Sequence, residues 1–418
     1  MKNLPLLFLG AVLFLATSAS GADWPQWRGI HRNGRAEGET SLAKMPAEIK
    51  PVWKISVGGG FSAPVVSGGL VVYLDERDGK EIAHALKTTD GSEVWQQEYT
   101  ESFGDEWGTG PRATPIIDGV RIYVQGCNGE FRVLQLKDGK EIWKASYEKD
   151  FGVKFLGSKA REGTASRRGN NGSGVIIGDR IILPVGNTEG ASLVCFDKIS
   201  GKVLWKAGTD EAAYSSFLEA TLAGQKQVVA LTADALLGAD PSKGTILWRV
   251  PLKTNAKRHA ASPVLLGSDM ITVNSHSFGL IAYKITKDSG DWQATEAWSN
   301  KDLKINLATP VLEGGHLYCQ GAKKDYVCVD ASNGKLKWSQ PGFGSGQKDY
   351  ASTISVGGKL LVLTEDGTLV LIAPNPEKYT ELGRIQVCGN TWSHPAYSAG
   401  KLYVRDGRFL QCLELIAN

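Results

Sequence analysis

Thr114-Pro115-Ile116-Ile117-Asp118-Gly119 opens a block that Gly139-Lys140-Glu141-Ile142-Trp143 closes, and these two phrases decide the fold because both return. Glycine followed four residues later by tryptophan also stands at Gly91/Trp95, Gly201/Trp205, Gly244/Trp248 and Gly334/Trp338, and a stretched copy runs from Gly290 to Trp298. Trp53 stands alone one period ahead of the first. Successive tryptophans lie 42, 48, 62, 43, 50 and 40 residues apart. Fixed offsets from a turn glycine mark a repeat protein, and the indoles are read as wedges between neighbouring repeats, scaffold rather than site.

Each copy has the same internal rhythm. A Ser/Ala/Thr-Pro step leads into a short apolar run, as in Ala63-Pro64-Val65-Val66, Ser262-Pro263-Val264-Leu265 and Thr309-Pro310-Val311-Leu312. Proline suits the first residue of a strand, where no ladder donor is needed. A Gly-Gly, Asp-Gly or Gly-Asp turn follows (Gly68-Gly69, Asp118-Gly119, Gly178-Asp179, Gly314-Gly315), then a strand rich in Val, Ile and Tyr. Such turns between β-branched runs signal hairpins. A third strand ends near Asp, as in Val194-Cys195-Phe196-Asp197, and the Gly-x-x-x-Trp phrase supplies the fourth. Four strands in 40 to 50 residues is the period of a β-propeller blade, so an all-β fold is expected.

The chain ends complete the count. Pro51 to Val57 looks like a fourth strand with no first three, whereas His394-Pro395-Ala396-Tyr397, Lys401 to Arg405 and Phe409 to Leu413 are three strands with no fourth. Pairing them closes the ring and removes its open edges. The expected architecture is an eight-bladed propeller over residues 51–418. The fourth copy lacks the Ser/Thr-Pro start, and the seventh has Gly383-Arg384 where tryptophan is due.

Outside the repeats, residues 1–22 carry Lys2, an apolar run from Leu4 to Ala16 and small residues at Ser20-Gly21-Ala22, the pattern of a secretory signal peptide. An exported protein, periplasmic or secreted, is expected, without a transmembrane span. No cysteine stands near the cut for a lipid anchor. Residues 23–50 form an arm with Trp24 and Trp27, which is expected to lie against the propeller. With 47 basic and 44 acidic residues and a net charge of +3, nothing draws the chain to nucleic acid, and it is expected to act as a monomer.

Cys195, Cys328 and Cys412 occupy one station of the third strand, where Ala85, Gly238 and Ala282 stand in other copies, so that station wants a small buried side chain. Cys319 and Cys328 are expected to face each other across a hairpin turning at Lys323-Lys324, with their bridging left open. The 62-residue gap places an insertion at 148–170, holding Lys149, Lys154, Lys159, Arg161, Arg167 and Arg168, a basic loop able to meet an anionic ligand or an acidic partner surface.

The blade consensus resembles the pyrroloquinoline quinone-type (PQQ-like) repeat of quinoprotein alcohol dehydrogenases and of the outer-membrane assembly lipoprotein BamB. The opening Asp23-Trp24-Pro25-Gln26-Trp27-Arg28-Gly29, with Gly58-Gly59-Gly60-Phe61-Ser62-Ala63-Pro64 behind it, is similar to exported PQQ-like propeller proteins of environmental bacteria. The resemblance covers nearly all of the chain after the leader. It is specific for fold and weak for activity.

In this fold the loops entering the innermost strands ring one mouth of the central channel. One position per blade gives Phe61, Arg112, Asn170 or Asn171, Glu219, His259, Asn306, Tyr350 and Trp392. Arg112 and His259, with Arg258, suit carboxylates; Glu219 and Asn306 offer oxygens of the kind Ca²⁺ takes; Tyr350 and Trp392 can stack on a planar ring. A quinoprotein dehydrogenase would imply pyrroloquinoline quinone with Ca²⁺ and a carboxylate base. The sequence departs from that pattern in having no adjacent Cys-Cys pair and no Cys-x-x-Cys-His. The first expectation is therefore a non-catalytic binding or scaffolding module, without catalytic residues, metal or cofactor, that meets a protein or small ligand through the channel mouth. Quinoprotein oxidoreductase and BamB-like assembly factor are the alternatives.

Overall fold

The computed structural model describes residues 23–153, 168–254, 257, 259–343 and 350–416; the leader, most of the basic insertion and Arg258 lie outside them. Eight antiparallel four-stranded sheets form the ring. Blade 1 runs Val65–Ser67, Leu70–Arg77, Lys80–Lys87 and Glu93–Glu101, with consecutive strands paired in order. Blades 2 to 7 repeat it, with innermost strands at Ile116–Asp118, Val175–Ile177, Leu218–Leu222, Val264–Leu265, Val311–Glu313 and Ala351–Val356. Blade 8 joins the two ends of the chain: Pro51–Ser56 pairs with Phe409–Glu414, outside Lys401–Arg405 and Ala396–Ser398.

The tryptophans explain why the blades stay in register. Trp53 donates its indole N–H to Thr88 O at 3.0 Å, Trp95 to Leu136 O at 2.8 Å, Trp205 to Pro241 O at 3.0 Å and Trp298 to Ala331 O at 3.1 Å, in each case a carbonyl in the next blade. The ring lies flat on the turn glycine of that blade. A Cβ on Gly139 (φ +70°) would stand 2.6 Å from Trp95, and one on Gly201 2.6 Å from Trp143. Gly139→Ala is therefore expected to cost about 1–3 kcal/mol, through both strain and lost packing, as read by thermal unfolding. A cost below the scatter of surface substitutions would contradict the docking role.

Six of the seven repeat indoles also face a small residue across their own sheet, Trp95 opposing Ala85, Trp205 Cys195, Trp248 Gly238, Trp298 Ala282, Trp338 Cys328 and Trp53 Cys412, whereas Trp143 opposes Val133. The ladder slips by one residue there, so the residue before the tryptophan is a bulge. Bulges twist an outer strand away from edge-to-edge pairing, and here they protect the rim of the ring.

Two blades depart from the rule, each for a visible reason. Blade 5 replaces the turn phrase by a long hairpin, Gly279–Asp288 with Asp291–Asn300, turning at Ser289 and Gly290. Trp248 of blade 4 thus meets no receiving turn of the usual kind and donates instead to Gln227 Oε1 of its own blade at 2.7 Å. In blade 7 Gly383 occupies the tryptophan station opposite Leu371. Met45 of the arm takes the vacated place: it is buried, donates its N–H to Leu382 O, and sits where a Cβ on Gly383 would come within 2.8 Å.

The arm does more than lie on the surface; it runs through the channel. Trp24 exchanges both backbone hydrogen bonds with Val66 of blade 1, and Ile117 of blade 2 donates to Pro25 O. Arg32 reaches Gly174 O at 2.5 Å and Phe217 O at 2.7 Å in blades 3 and 4, while Trp27 donates to Ser262 Oγ of blade 5. Arg28, fully buried, donates to Pro310 O of blade 6 at 2.7 Å. Arg35–Ala36 then pairs in parallel with Ser355 and Val356 of blade 7, and Glu39 accepts from Ala399 N in blade 8. One segment thus ties all eight blades together and plugs the channel.

All six cysteines are free. Cys319 and Cys328 do not face each other. Tyr318 opposes Cys328 and Cys319 opposes Val327, so the two thiols project from opposite faces of the sheet. The turn is wider than two residues, closed by Gly321 N to Asp325 O and containing Lys324 at φ +52°, which shifts the register by one.

Candidate functional site

Hydroxyls near the inner-strand starts bridge neighbouring blades. Ser393 Oγ donates to Phe61 O across the junction of blades 8 and 1, Ser62 Oγ to Ala113 O across 1 and 2, and Ser173 Oγ to Thr114 O across 2 and 3. Ser262 N donates to Thr309 Oγ1 between blades 5 and 6. These cross-links make the channel wall rigid and aim the residues just before them at the axis.

Those residues enclose a cavity of about 240 Å³ at one mouth of the channel. Phe61, Arg112, Asn171, Asn306, Tyr350 and Trp392 line it, so the structure brings together most of the positions taken one per blade. Its lining also includes Trp27 from the arm. Trp27 is held by the bond to Ser262 and by edge contact with His394 at 5.2 Å between ring centroids. His394 is buried and, through burial and then the nearby Arg28 guanidinium, pushed down to about 3, so it stays neutral at any physiological pH. Burial likewise pushes the Tyr350 phenol up to about 12.

Glu219 and His259 lie elsewhere. Glu219 sits within the innermost strand of blade 4 and pairs with Lys226 at 2.5 Å; Tyr214 and Ser216 are the cavity residues of that blade. The position picked in blade 4 lies past the start of its innermost strand at Leu218, beyond the residues that face the cavity. His259 is buried behind the wall with Nε2 3.0 Å from Leu252 O, and desolvation lowers its pKa. Asn170, the alternative to Asn171, is spent on Gln125 and Pro184 O.

One side of the rim is built by a small hairpin, Gly104–Asp105 with Gly108–Thr109, which carries Trp107. Asp105 takes Arg112 in a two-pronged pair, 2.7 Å to Nη2 and 3.0 Å to Nη1, and also takes Arg168 at 3.2 Å. Burial raises the Asp105 carboxyl, but Arg112 and Arg168 outweigh it and hold the group below the usual carboxylate range. Each guanidinium also covers an aromatic face, Arg112 over Phe61 at 5.6 Å and Arg168 over Trp107 at 5.7 Å. Trp392 lies between them, 5.3 Å from Phe61 and 5.8 Å from Trp107 by ring centroid, its indole N–H on Glu365. Sequence reasoning missed Trp107 and Arg168 as wall residues. Trp107 belongs to a connection between repeats, and Arg168 was legible only as part of a basic loop.

The fit to a quinone with calcium is poor. Arg112, the evident partner for a ligand carboxylate, is already neutralised by Asp105. Among the described residues no group of three or more His, Cys, Asp and Glu side chains could hold a metal ion. What the wall offers is flat aromatic surface, amides and hydroxyls.

Fold and site define the class: an eight-bladed PQQ-like propeller, plugged by its own N-terminal arm, with a ligand-sized aromatic cavity at one mouth. The sequence matches the family described as outer membrane protein assembly factor BamB over residues 40–161 and 156–378, and the chain belongs to that family. No curated protein matches it. Among solved structures, BamB from Moraxella catarrhalis superposes with a TM-score of 0.56 at 14% identity, over 86% of this chain and 97% of that one. The quinohemoprotein alcohol dehydrogenase ADHIIG from Pseudomonas putida HK5 gives 0.63 at 10% identity, over 95% and 81%. The computationally designed protein Ika8 gives 0.57 at 10%, over 87% and 99%. At these identities the likeness is one of fold. Among the described residues no helix is long and apolar enough to cross a membrane.

Proposed function

We propose that the protein is an exported, non-catalytic binding module that captures a small ligand or a segment of a protein partner in the channel-mouth cavity. Export rests on the apolar leader at Leu4 to Ala16. The observation that carries the binding role is the Asp105–Arg112 pair: it fixes the cavity's most buried cation as a wall element and leaves rings, amides and hydroxyls to make contact. Such a surface recognises shape and stacking; it supplies no evident base. The family match favours a protein partner, in outer-membrane assembly as the narrower form of the same role.

Purified protein given pyrroloquinoline quinone and Ca²⁺ is expected to show no alcohol-dependent dye reduction. A photocrosslinker placed at Glu106 on the rim is expected to trap a partner in cells that one placed at Val120, on a hairpin turn outside the cavity wall, does not. Turnover in the first experiment overturns the non-catalytic role. Identical crosslinks from the two positions overturn capture at the mouth.

A further inference from the structure

The wall of the channel-mouth cavity divides by chemistry around the ring. Blades 7, 8 and 1 contribute Tyr350, Trp392 and Phe61, and the arm adds Trp27. The polar atoms of these residues are already spent: the Trp392 N–H lies on Glu365 at 2.9 Å, the Trp27 N–H on Ser262 at 3.2 Å, and the Tyr350 hydroxyl pairs with Ser352 at 2.9 Å. They meet a ligand with carbon surface. Blades 2 to 6 contribute Thr114, Asn171, Ser216, Ser262 and Asn306 instead.

This polar half keeps its capacity. Thr114 is 6% exposed, and among the described residues its hydroxyl has no hydrogen-bond partner; only its backbone is engaged, by Ser173. A buried hydroxyl left so costs free energy until a partner meets it. Asn306 makes no side-chain hydrogen bond among the described residues, and Asn171 uses only its oxygen, toward the Cys127 thiol at 3.7 Å. Ser216 and Ser262 each accept one bond, from Ser173 N and from the Trp27 indole, and keep their own proton to give. Each of these side chains both donates and accepts.

Building on capture at the channel mouth, we infer that the ligand is a pyranose saccharide, its C–H face on the aromatic arc and its hydroxyls reaching the amides and hydroxyls of blades 2 to 6. A pyranose has the same division. Its ring C–H groups form an apolar face that packs on aromatic carbon, and its hydroxyls both donate and accept. A flat heteroaromatic ring is the poorer fit: it wants parallel faces on both sides, whereas Trp392 is tilted 31° to Phe61 and 52° to Trp107. A purely aliphatic ligand would leave Thr114 unmet. Among the described residues no Asp or Glu lines the cavity, so the sugar is held there and not cleaved by a pair of carboxylates.

The test uses the full mature chain, with calorimetry and tryptophan fluorescence. The probes are the methyl glycosides of glucose, galactose, mannose, xylose and N-acetylglucosamine, with cellotriose and maltotriose. Cyclohexanol and glycerol are the controls, one an apolar ring and the other hydroxyls without a face. Saturable binding of at least one saccharide, and of neither control, is expected. Tighter binding of a trisaccharide marks the ligand as the end of a polysaccharide, and equal or tighter binding of a methyl glycoside marks it as a free sugar; either upholds the class. Asn306→Ala, which removes no hydrogen bond within the fold, is expected to weaken that binding about tenfold or more, as is Thr114→Val, while Thr114→Ser holds it within about threefold. Binding unchanged in both Asn306→Ala and Thr114→Val, or no saturation by any saccharide up to roughly 20 mM, overturns the assignment. If no saccharide binds yet the crosslinker at Glu106 still traps a partner, the ligand class alone falls; if neither is seen, capture at the mouth falls with it.

Discussion

Arg405→Ala is expected to cost about 3–5 kcal/mol of unfolding free energy, the largest loss of any single substitution considered, because it opens the ring at the seam between its two ends. Arg405 is 1% exposed and belongs to blade 8. Its guanidinium donates to Ser62 O, Leu74 O, Gly58 O and Gly59 O, all in blade 1 or the link that leads into it. Removing the donors takes a hydrogen bond from four carbonyls, two of them in fully buried contacts, while Gly59 O keeps the Glu76 N–H. Arg405→Lys keeps the charge but cannot span the same fork, so an intermediate loss is expected. Urea unfolding with a probe in blade 1 reads the effect, and a loss under about 1 kcal/mol for the alanine variant would show the seam to be held elsewhere.

The same seam carries a second clasp. Asp75 accepts Gly58 N at 2.7 Å and lies 2.9 Å from His84 Nε2, while His84 Nδ1 is 2.7 Å from Glu93. Burial raises the Asp75 carboxyl, but the His84 bond and charge, Gly58 N–H and Arg77 outweigh it and leave the group below its usual range. A carboxylate depressed in the folded state stabilises above its unfolded range and loses that contribution as pH falls through the folded value. The Asp75 contact is therefore an acid-sensitive part of the ring closure, and Arg405 still holds the seam when Asp75 is protonated.

The blades were legible because most copies repeat a turn glycine, a small third-strand residue and a tryptophan, so local rules agree with the global fold. The ring closure followed from two incomplete blades at the chain ends. What could not be read shares one cause: contacts between residues remote in sequence with no period to announce them. Met45 filling the gap at Gly383, or Arg28 reaching Pro310 O, leaves no signature in an arm without alternation. The Cys319 register failed on one left-handed residue, Lys324, which adds a position to the turn. Within the site, Phe61, Arg112, Asn306 and Trp392 stand shortly before a proline-led strand and fall on the wall, as do Asn171 and Tyr350, whose blades have no such proline, whereas His259, ahead of Ser262-Pro263, does not. Glu219 falls inside the innermost strand of blade 4, past the wall residues Tyr214 and Ser216, and Trp107 was invisible because its hairpin is an addition to the repeat.

Glu81→Gln is expected to raise stability at pH 8 by roughly 1–3 kcal/mol and to flatten its dependence on pH between about 4.5 and 7. Glu81 is fully buried in blade 1 behind the cavity wall, close to Arg112, with Tyr99 donating to Oε2 at 2.8 Å. Burial pushes its carboxyl from 4.5 up to about 7, and the Tyr99 hydroxyl offsets only part of that. A carboxyl raised in the folded state binds more protons folded than unfolded over that interval. Stability is thus greatest below the unfolded value, falls as pH rises towards 7 and then levels off, the full span being about 3 kcal/mol for a shift of this size. The amide cannot ionise, so the slope goes with it. The gain at pH 8 is smaller than the span, because the new N–H₂ takes the place of Oε1, which has no hydrogen-bond partner, and such a buried donor costs about 1–2 kcal/mol. Unfolding in urea at pH 5, 6, 7 and 8 separates the outcomes. A variant that tracks the native protein in parallel across that range would mean that Glu81 stays ionised in the fold, with its charge balanced by Arg112 across the wall.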